Sequence, residues 1–317
     1  MKFNINKIAN NIPNYNLEEL INHPVSIYLM KLNSLKSRRT MQSNLALAVK
    51  VLNPANDVLK FNWQLLSESL IIMMLNAIAK NHSPATVNAT LSALKGVAKA
   101  LWRQKVLSSE DFAAINDIKR FRGKRESRGR MLERDEISRL FNYLDASASP
   151  RNARNAAICS LLLGCGLRRS EIITLSLADF DFTDHSFIVT GKGNKEARCF
   201  LPEDCCKRVR EWLEYRGTDA GPMICTIDKN GEIYPDKGLT DQRIYAIIKD
   251  LCNKLNFKNF SPHDLRRTYG SYLLDLGVDL VTVRDLMRHS SVSTTQIYDK
   301  RDDERKRKAS GKVDFAA

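Results

Sequence analysis

Residues that could act together on a phosphate ester recur near the end of the sequence. His263 and Arg266 stand three positions apart and would share one face of a helix. His289 follows Arg266 by 23 positions, and Tyr298 follows His289 by nine. A tyrosine phenol can attack phosphorus to form a covalent phosphotyrosine, and two histidines can transfer protons or donate hydrogen bonds near neutral pH. These residue types predict nucleophilic chemistry at a phosphodiester.

Two basic residues further upstream extend this pattern. Arg168 follows Gly166 and Leu167, and Lys192 lies 24 positions after Arg168 in a glycine-containing turn. Arg168 and Arg266 can fork onto the non-bridging oxygens of one phosphate, and a lysine can protonate a departing alkoxide. The turn lacks the G-x-x-x-x-G-K-S/T pattern of a phosphate loop. The sequence shows no carboxylate cluster with metal-ligand spacing, so the pattern predicts metal-free cleavage through a phosphotyrosine.

Helices and one small sheet are predicted to hold these residues. Three short strands are expected at 181–182, 187–189 and 197–201, with Lys192 in the turn between the last two. Apolar residues at helical spacing predict helices near 134–145, 151–163, 169–176, 203–216, 240–255, 262–275 and 279–287. The first part of the chain is also predicted to be helical, at 24–32, 38–52, 65–80 and 84–103.

The composition favours a globular protein with a polyanionic partner. The 317 residues include 50 Lys and Arg against 36 Asp and Glu, which gives a net charge of +14. Such an excess suits nucleic acid, although solubility alone is the simpler alternative. No apolar run approaches the roughly 20 residues of a membrane span, and the N-terminus lacks a signal-peptide pattern. The seven cysteines form no C-x-x-C pair, so we expect reduced thiols, no zinc site and a cytoplasmic protein.

The positive charge is concentrated in residues 116–130, which hold seven Lys and Arg against two acidic residues. We interpret this stretch as a linker between two domains that crosses a phosphate backbone, and a solvated loop is the alternative. The helix that begins at Pro84 carries an apolar stripe and a second, basic stripe, which would face either DNA or solvent. The members of this basic stripe are Asn88, Ser92, Lys95, Lys99 and Arg103. The residues predicted to contact DNA are therefore Lys95, Lys99, Arg103, Lys119, Arg120, Arg122, Lys124 and Arg125.

The motifs resemble those of the tyrosine recombinase (phage integrase) family. The resemblance is carried by Arg168–Glu171, Gly191–Lys195, His263–Arg266 and His289–Tyr298. It implies a mainly α fold, in which a helical core-binding (SAM-like) domain precedes a mainly helical catalytic domain with a small three-stranded antiparallel sheet. The expected boundaries are 1–115 for the core-binding domain, 116–130 for the linker, 131–299 for the catalytic domain and 300–317 for a charged tail.

The resemblance also implies a role for each residue at the phosphate. Arg168 and Arg266 would clamp the scissile phosphate, and His289 would donate a hydrogen bond to it. Glu171, one helical turn after Arg168, would hold that arginine in place. The site would use no cofactor, metal or ATP.

The remaining implied roles concern the nucleophile and the protons. Tyr298 would be the nucleophile and form a 3′-phosphotyrosyl bond. Lys192 would be the general acid for the 5′-oxygen, and His263 would assist proton transfer from the tyrosine.

Three positions depart from the family pattern or leave its register open. Arg288 precedes His289 where many relatives have glycine, and this added cation would contact phosphate or displace His289. Arg267 follows Arg266 where relatives often have histidine. Arg169 follows Arg168, so a register slip of one residue is conceivable.

The resemblance further implies the partners and the biological setting. Double-stranded DNA recombination sites would be bound by a homotetramer, with Val313 and Phe315 of the tail as candidate anchors in a neighbouring protomer, and accessory proteins are left open. The chain looks like a compact Xer-like or transposon-type enzyme that integrates, excises or resolves DNA, without a membrane partner. Two alternatives remain at this stage, a type IB topoisomerase-like enzyme and a DNA-binding accessory protein without catalysis.

Overall fold

The computed structural model describes residues 21–123, 129–191 and 196–289. The chain divides into two compact units, Met1–Glu126 and Ser127–Ala317, and each unit has its own hydrophobic core. Among the described residues, no helix is long and apolar enough to cross a membrane. The same residues contain no group of His, Cys, Asp or Glu that could hold a metal ion. All seven cysteines lie in the described ranges and are free.

The described part of the first unit is helical. Ser34, Ser67, Ser83 and Ser108 begin four of its helices, because each serine side chain accepts a hydrogen bond from a backbone N–H of the first turn. The α-helices in the described residues of this unit are α1 (Pro24–Met30), α2 (Leu35–Lys50), α3 (Glu68–Ala79), α4 (Pro84–Arg103) and α5 (Ser109–Asp117).

Helix α4 lies at the centre of this unit and packs against the other four. Its apolar stripe, which includes Leu91, Leu94 and Leu101, is buried. Gly96 lies under the ring of Tyr28, and a Cβ at this glycine would come within 2.1 Å of the ring. The predicted amphipathic helix is therefore the core element around which the first unit is built.

The second unit contains seven α-helices in its described residues. They are α6 (Arg134–Asp145), α7 (Pro150–Gly164), α8 (Arg169–Ile172), α9 (Glu203–Arg216), α10 (Asp241–Lys254), α11 (Pro262–Asp275) and α12 (Leu280–Leu286). Helix α7 is almost fully buried and packs against α6, α9 and α11. Its C-terminal end leads into the Gly166–Arg168 loop, which is thereby fixed to the core.

A three-stranded antiparallel sheet packs in the same core. Its strands are β1 (Phe180–Asp181), β2 (Ser186–Thr190) and β3 (Glu196–Phe200), in the order β1-β2-β3, with Phe187 opposite Cys199. This confirms the predicted fold class. A second antiparallel pair, β4 (Cys225–Ile227) and β5 (Ile233–Gly238), was not predicted from the sequence.

Candidate active site

The N-terminal turn of α11 sets the positions of His263 and Arg266. The carboxylate of Asp264 accepts hydrogen bonds from the backbone N–H and the hydroxyl of Ser261, at 2.8 and 2.7 Å. This capping box, with Pro262 in the first turn, starts the helix at a defined residue. His263 is consequently exposed in the first turn, whereas Arg266, one turn later, is only 2% exposed.

Arg266 connects two loops that are far apart in the sequence. Its guanidinium donates hydrogen bonds to the backbone carbonyls of Gly166 and Met287. Gly166 has φ +55°, and a Cβ there would lie 2.4 Å from the ring of Tyr269. Only glycine fits this turn without strain. Arg266 therefore holds the loop before Arg168 against the loop before His289.

The carboxylate of Glu171 is the centre of the site. It is 3% exposed and accepts hydrogen bonds from the backbone N–H of Arg168 at 2.8 Å and from Arg168 Nη1 at 2.5 Å. Arg288 Nη2 lies 3.1 Å from Glu171 Oε2, and Arg266 Nη1 lies 3.8 Å from the same oxygen. Burial raises the pKa of Glu171, but the charges of Arg288 and Arg168 outweigh it and lower the pKa below its ordinary value. One ionised carboxylate thus serves three guanidinium groups.

Arg168 is the most exposed of these three arginines. Its side chain is 37% exposed, against 2% for Arg266 and 9% for Arg288. Its neighbour Arg169 is directed toward α10, where it contacts Asp241 at 3.4 Å. The structure therefore places Arg168, and not Arg169, with Glu171, and this contact favours the register that begins at Arg168.

The surroundings of both histidines favour the neutral imidazole. The pKa of His289 is lowered to about 4, first by burial and then by the positive charges of Arg266, Arg168 and Arg288. Burial and the charge of Arg266 also lower the pKa of His263. Because His263 contributes to the shift of His289, the two imidazoles share one electrostatic environment. Neutral imidazoles can accept a proton or donate a hydrogen bond, so both functions are available here.

Comparison with known proteins identifies the family. The phage integrase family model matches residues 130–305. Tyrosine recombinase XerC of Alcanivorax borkumensis is 30% identical over 222 residues, which cover 68% of this chain and 69% of the relative. This chain belongs to the phage integrase family. It is a tyrosine site-specific recombinase, as the motifs predict.

Solved structures show the same fold in other recombinases. The integrase of the transposon Tn1549, in complex with a circular intermediate DNA, has a TM-score of 0.67 at 15% identity. The match covers 92% of this chain and 98% of the integrase chain. The XerH recombinase bound to a palindromic difH substrate has a TM-score of 0.65 at 19% identity, and the match covers 85% of this chain and 78% of the XerH chain.

Some predicted site residues of the recombinase lie outside the described residues. These are Lys192, Tyr298, Lys124 and Arg125. Of the described members, Arg168 and Arg266 each contact Glu171, and the two histidines lie within electrostatic reach of both arginines.

The residues predicted to contact DNA differ in their surroundings. Five of them are exposed: Lys99, Arg103, Lys119, Arg120 and Arg122. Lys95 is partly buried instead, and its ammonium donates to the backbone carbonyls of Asn116 and Ile118, both at 2.8 Å. Lys95 thereby covers the C-terminal end of α5, where a cation is favourable.

The basic stripe of α4 also holds the start of the predicted linker. The side-chain amide of Asn88 donates to the carbonyl of Phe121 at 3.0 Å and accepts from its N–H at 2.9 Å. With the Lys95 contacts, these bonds attach residues 116–121 to α4. The domain boundary at residue 115 remains a prediction, and these contacts favour a boundary further along the chain.

Arg130 is an anchoring residue that the sequence did not single out. Its guanidinium makes a two-point ion pair with Glu136 at 2.6 and 2.8 Å, and its backbone N–H donates to Asp264 at 2.9 Å. Leu132 N–H donates to the hydroxyl of Thr268 at 2.9 Å. The start of the second unit is therefore bonded to α11, the helix that carries His263 and Arg266.

Arg288 is the other residue whose position the sequence did not predict. Its guanidinium points into the protein, toward Glu171, Cys199 and the carbonyl of Gly166. Contact of this cation with phosphate, or displacement of His289 by it, remains a prediction, and the interior partners favour a role within the protein. Only a three-dimensional structure could reveal this direction, since the partners stand about 90 to 120 positions away in the sequence.

Proposed function

We propose that this recombinase cleaves and rejoins double-stranded DNA at specific sites through a 3′-phosphotyrosyl intermediate. The observation that carries the proposal is the convergence of Arg168 and Arg266 on Glu171, within electrostatic reach of His263 and His289. Such a concentration of cations and neutral imidazoles suits a phosphate that is being attacked. DNA is also present in the XerH and Tn1549 integrase structures.

In the proposed mechanism, two arginines bind the scissile phosphate. Arg168 reaches the phosphate directly, because it is the most exposed of the three arginines around Glu171. Arg266 adds positive charge from the protein interior, and it holds in place the loops that precede Arg168 and His289. His289, as a neutral imidazole, donates a hydrogen bond to a non-bridging oxygen. Together these groups offset the charge that develops in the transition state, so the reaction needs no metal ion.

Two residues outside the described ranges complete the reaction. The phenolic oxygen of Tyr298 bonds to phosphorus while the bond from phosphorus to the 5′-oxygen breaks, and His263 helps to take up the phenolic proton. Lys192 gives a proton to the departing 5′-oxygen. The phosphotyrosyl bond retains the energy of the phosphodiester, so attack by a 5′-hydroxyl rejoins the strand without ATP.

The assembly is part of the same proposal. A core-binding domain at 1–115 and a catalytic domain at 131–299, joined by a basic linker at 116–130, would enclose duplex DNA. Four protomers would bring two sites together, and the 300–317 tail would dock in a neighbouring protomer. We place the reaction in the cytoplasm, in the integration, excision or resolution of a mobile genetic element.

Covalent capture tests this function. Purified protein and its Tyr298→Phe variant are incubated in EDTA with DNA from the flanks of the gene, and SDS then traps protein attached to DNA. We expect an adduct at a 3′ end, at particular sequences, with the unchanged protein alone. Adducts on any supercoiled DNA, with relaxation, would favour a topoisomerase. Equal cleavage by the Tyr298→Phe variant would contradict the proposal.

A further inference from the structure

Arg288 occupies a backbone conformation that suits glycine. Its φ is +54°, in the left-handed region that side chains with a Cβ avoid. A glycine at this position would adopt the same conformation at no steric cost. The arginine side chain therefore costs conformational energy that its own contacts must offset.

Those contacts are numerous and lie in the interior. The side chain of Arg288 is 9% exposed. Nη1 donates to the carbonyl of Leu286 at 2.7 Å and to the sulfur of Cys199 at 3.1 Å, and Nη2 donates to the carbonyl of Gly166 at 3.0 Å. Nη2 also pairs with Glu171 Oε2 at 3.1 Å. The guanidinium thus joins the loop after α12 to β3, to the loop after α7 and to α8.

Arg288 is linked to Arg168 by two separate routes. Through its backbone, the carbonyl of Arg288 accepts a hydrogen bond from Arg168 Nη2 at 2.8 Å. Through its side chain, it pairs with Glu171, whose carboxylate in turn holds the N–H and Nη1 of Arg168. Hence the exposed arginine of the site is held on both sides by contacts that include Arg288.

We infer that Arg288 is a positioning residue, which orients the guanidinium of Arg168 toward the scissile phosphate by anchoring Glu171 and the loop that precedes His289. The inference rests on the proposed function. A glycine at position 288 could supply the backbone carbonyl to Arg168, but it could not form the ion pair with Glu171. The positioning role therefore depends on the arginine side chain. Arg288 acts through Glu171 and Arg168 and makes no contact with the DNA itself.

Three variants test the role of the side chain in cleavage. Arg288→Met removes the charge and keeps much of the volume, and Arg288→Lys keeps the charge. Arg284→Met removes a half-buried guanidinium whose ion pair, within the described part of the chain, is with the neighbouring Asp285. Adduct formation is followed in a single turnover on the fragment that the unchanged protein cleaves, and DNA affinity is measured on the same fragment.

We expect Arg288→Met to bind this DNA as the unchanged protein does and to cleave it about 10- to 100-fold more slowly, because Glu171 loses one of its anchors and holds Arg168 less precisely. Arg288→Lys should recover part of the rate, and Arg284→Met should cleave at the original rate. Cleavage at the original rate by folded Arg288→Met would overturn the inference. If the unchanged protein forms no adduct at all, the proposed function fails and not this inference.

A measurement without DNA tests the ion pair independently. Ionised Glu171 faces Arg168, Arg266 and Arg288, and the charges of Arg288 and Arg168 hold its pKa low, so loss of Arg288 removes one of these two charges. Without Arg288, the pKa of Glu171 rises, so the carboxylate of the variant takes up a proton more readily in acid. A protonated Glu171 needs no cationic partner, so the loss of thermal stability in Arg288→Met should be larger at pH 7 than at pH 4. A loss of equal size at both pH values would show that the ion pair does not operate.

Discussion

The guanidinium of Arg168 donates a hydrogen bond to the backbone carbonyl of Arg288 at 2.8 Å. This bond joins two loops of the second unit that lie 120 positions apart in the sequence, one after α7 and one after α12. Arg266 connects the same loops from the side of α11 through the carbonyls of Gly166 and Met287. The residues proposed to bind phosphate therefore also hold one another's loops in place.

The first prediction concerns Arg266. Arg266→Lys keeps the charge, but a single ammonium cannot bridge the carbonyls of both Gly166 and Met287. The Gly166 carbonyl also accepts from Arg288, so the expected effect is weakened bonding of the Met287 carbonyl. A buried carbonyl left without a donor costs about 1–3 kcal/mol, and we expect the free energy of unfolding to fall by up to that amount. Urea unfolding measures the change. Arg134→Lys, at an exposed residue over the ring of Tyr272, is the matched control and should change little.

The second prediction concerns the charge of Glu171. Glu171→Gln keeps the shape of the side chain but removes the negative charge that three guanidinium groups share. Removal of one partner from a buried ion network costs about 3–5 kcal/mol, so we expect a loss toward the lower end of this range. A variant as stable as the unchanged protein at pH 7 would show that the three arginines do not depend on this carboxylate.

The same variant has a defined dependence on pH. The folded pKa of Glu171 is lowered, so its contribution is present above its ordinary pKa and is lost as pH falls through the folded pKa. In Glu171→Gln this contribution is absent at every pH. The difference in stability between the two proteins should therefore narrow in acid, which unfolding curves at pH 7 and pH 3.5 would reveal.

The lowered pKa of His289 predicts a separate pH effect, between about pH 4 and pH 6.5. Its folded pKa is about 4, whereas the unfolded imidazole keeps the ordinary value of 6.5. Between these values the unfolded chain binds more protons, so stability falls as pH decreases from 6.5 toward 4. His289→Gln should make the free energy of unfolding less dependent on pH in this window. An unchanged slope between pH 6.5 and 4.5 would mean that His289 is not shielded from solvent.

The basic stripe of α4 gives a prediction about DNA binding. Lys99 is exposed, so Lys99→Met should lower the salt slope of DNA affinity by about one if it contacts a phosphate. Lys95 is bonded to the carbonyls of Asn116 and Ile118, so Lys95→Met should leave the slope unchanged and destabilise the fold by about 1 kcal/mol. Equal reductions of the slope by both variants would place Lys95 at the interface after all.

Local sequence signals account for much of the fold. The Ser261-Pro262 start of α11 and the apolar stripe of α4 predict their helices closely, because capping and periodicity are local properties. Strand β5 was missed, since it contains Pro235 and polar residues and pairs with β4 through an irregular register. Helix α5 was not predicted either, because it is nine residues long and Ile115 is its one buried residue, so its apolar pattern is weak.

The candidate site likewise has residues that the sequence predicts and contacts that only the structure shows. Arg168, His263, Arg266 and His289 were predictable because each lies in a recognisable motif at a set spacing. The inward direction of Arg288 and the use of Lys95 as a helix cap were not, because each depends on partners from another element. The sequence shows that a side chain is positively charged, but it does not show which group that charge contacts.

Identification of the residue that is attached to DNA tests the central claim most directly. The covalent adduct is digested with nuclease and protease, and the modified peptide is sequenced by mass spectrometry. The account predicts a nucleotide on Tyr298 and none on Tyr269, whose pKa burial raises to about 12. A nucleotide on any residue other than Tyr298 would contradict it.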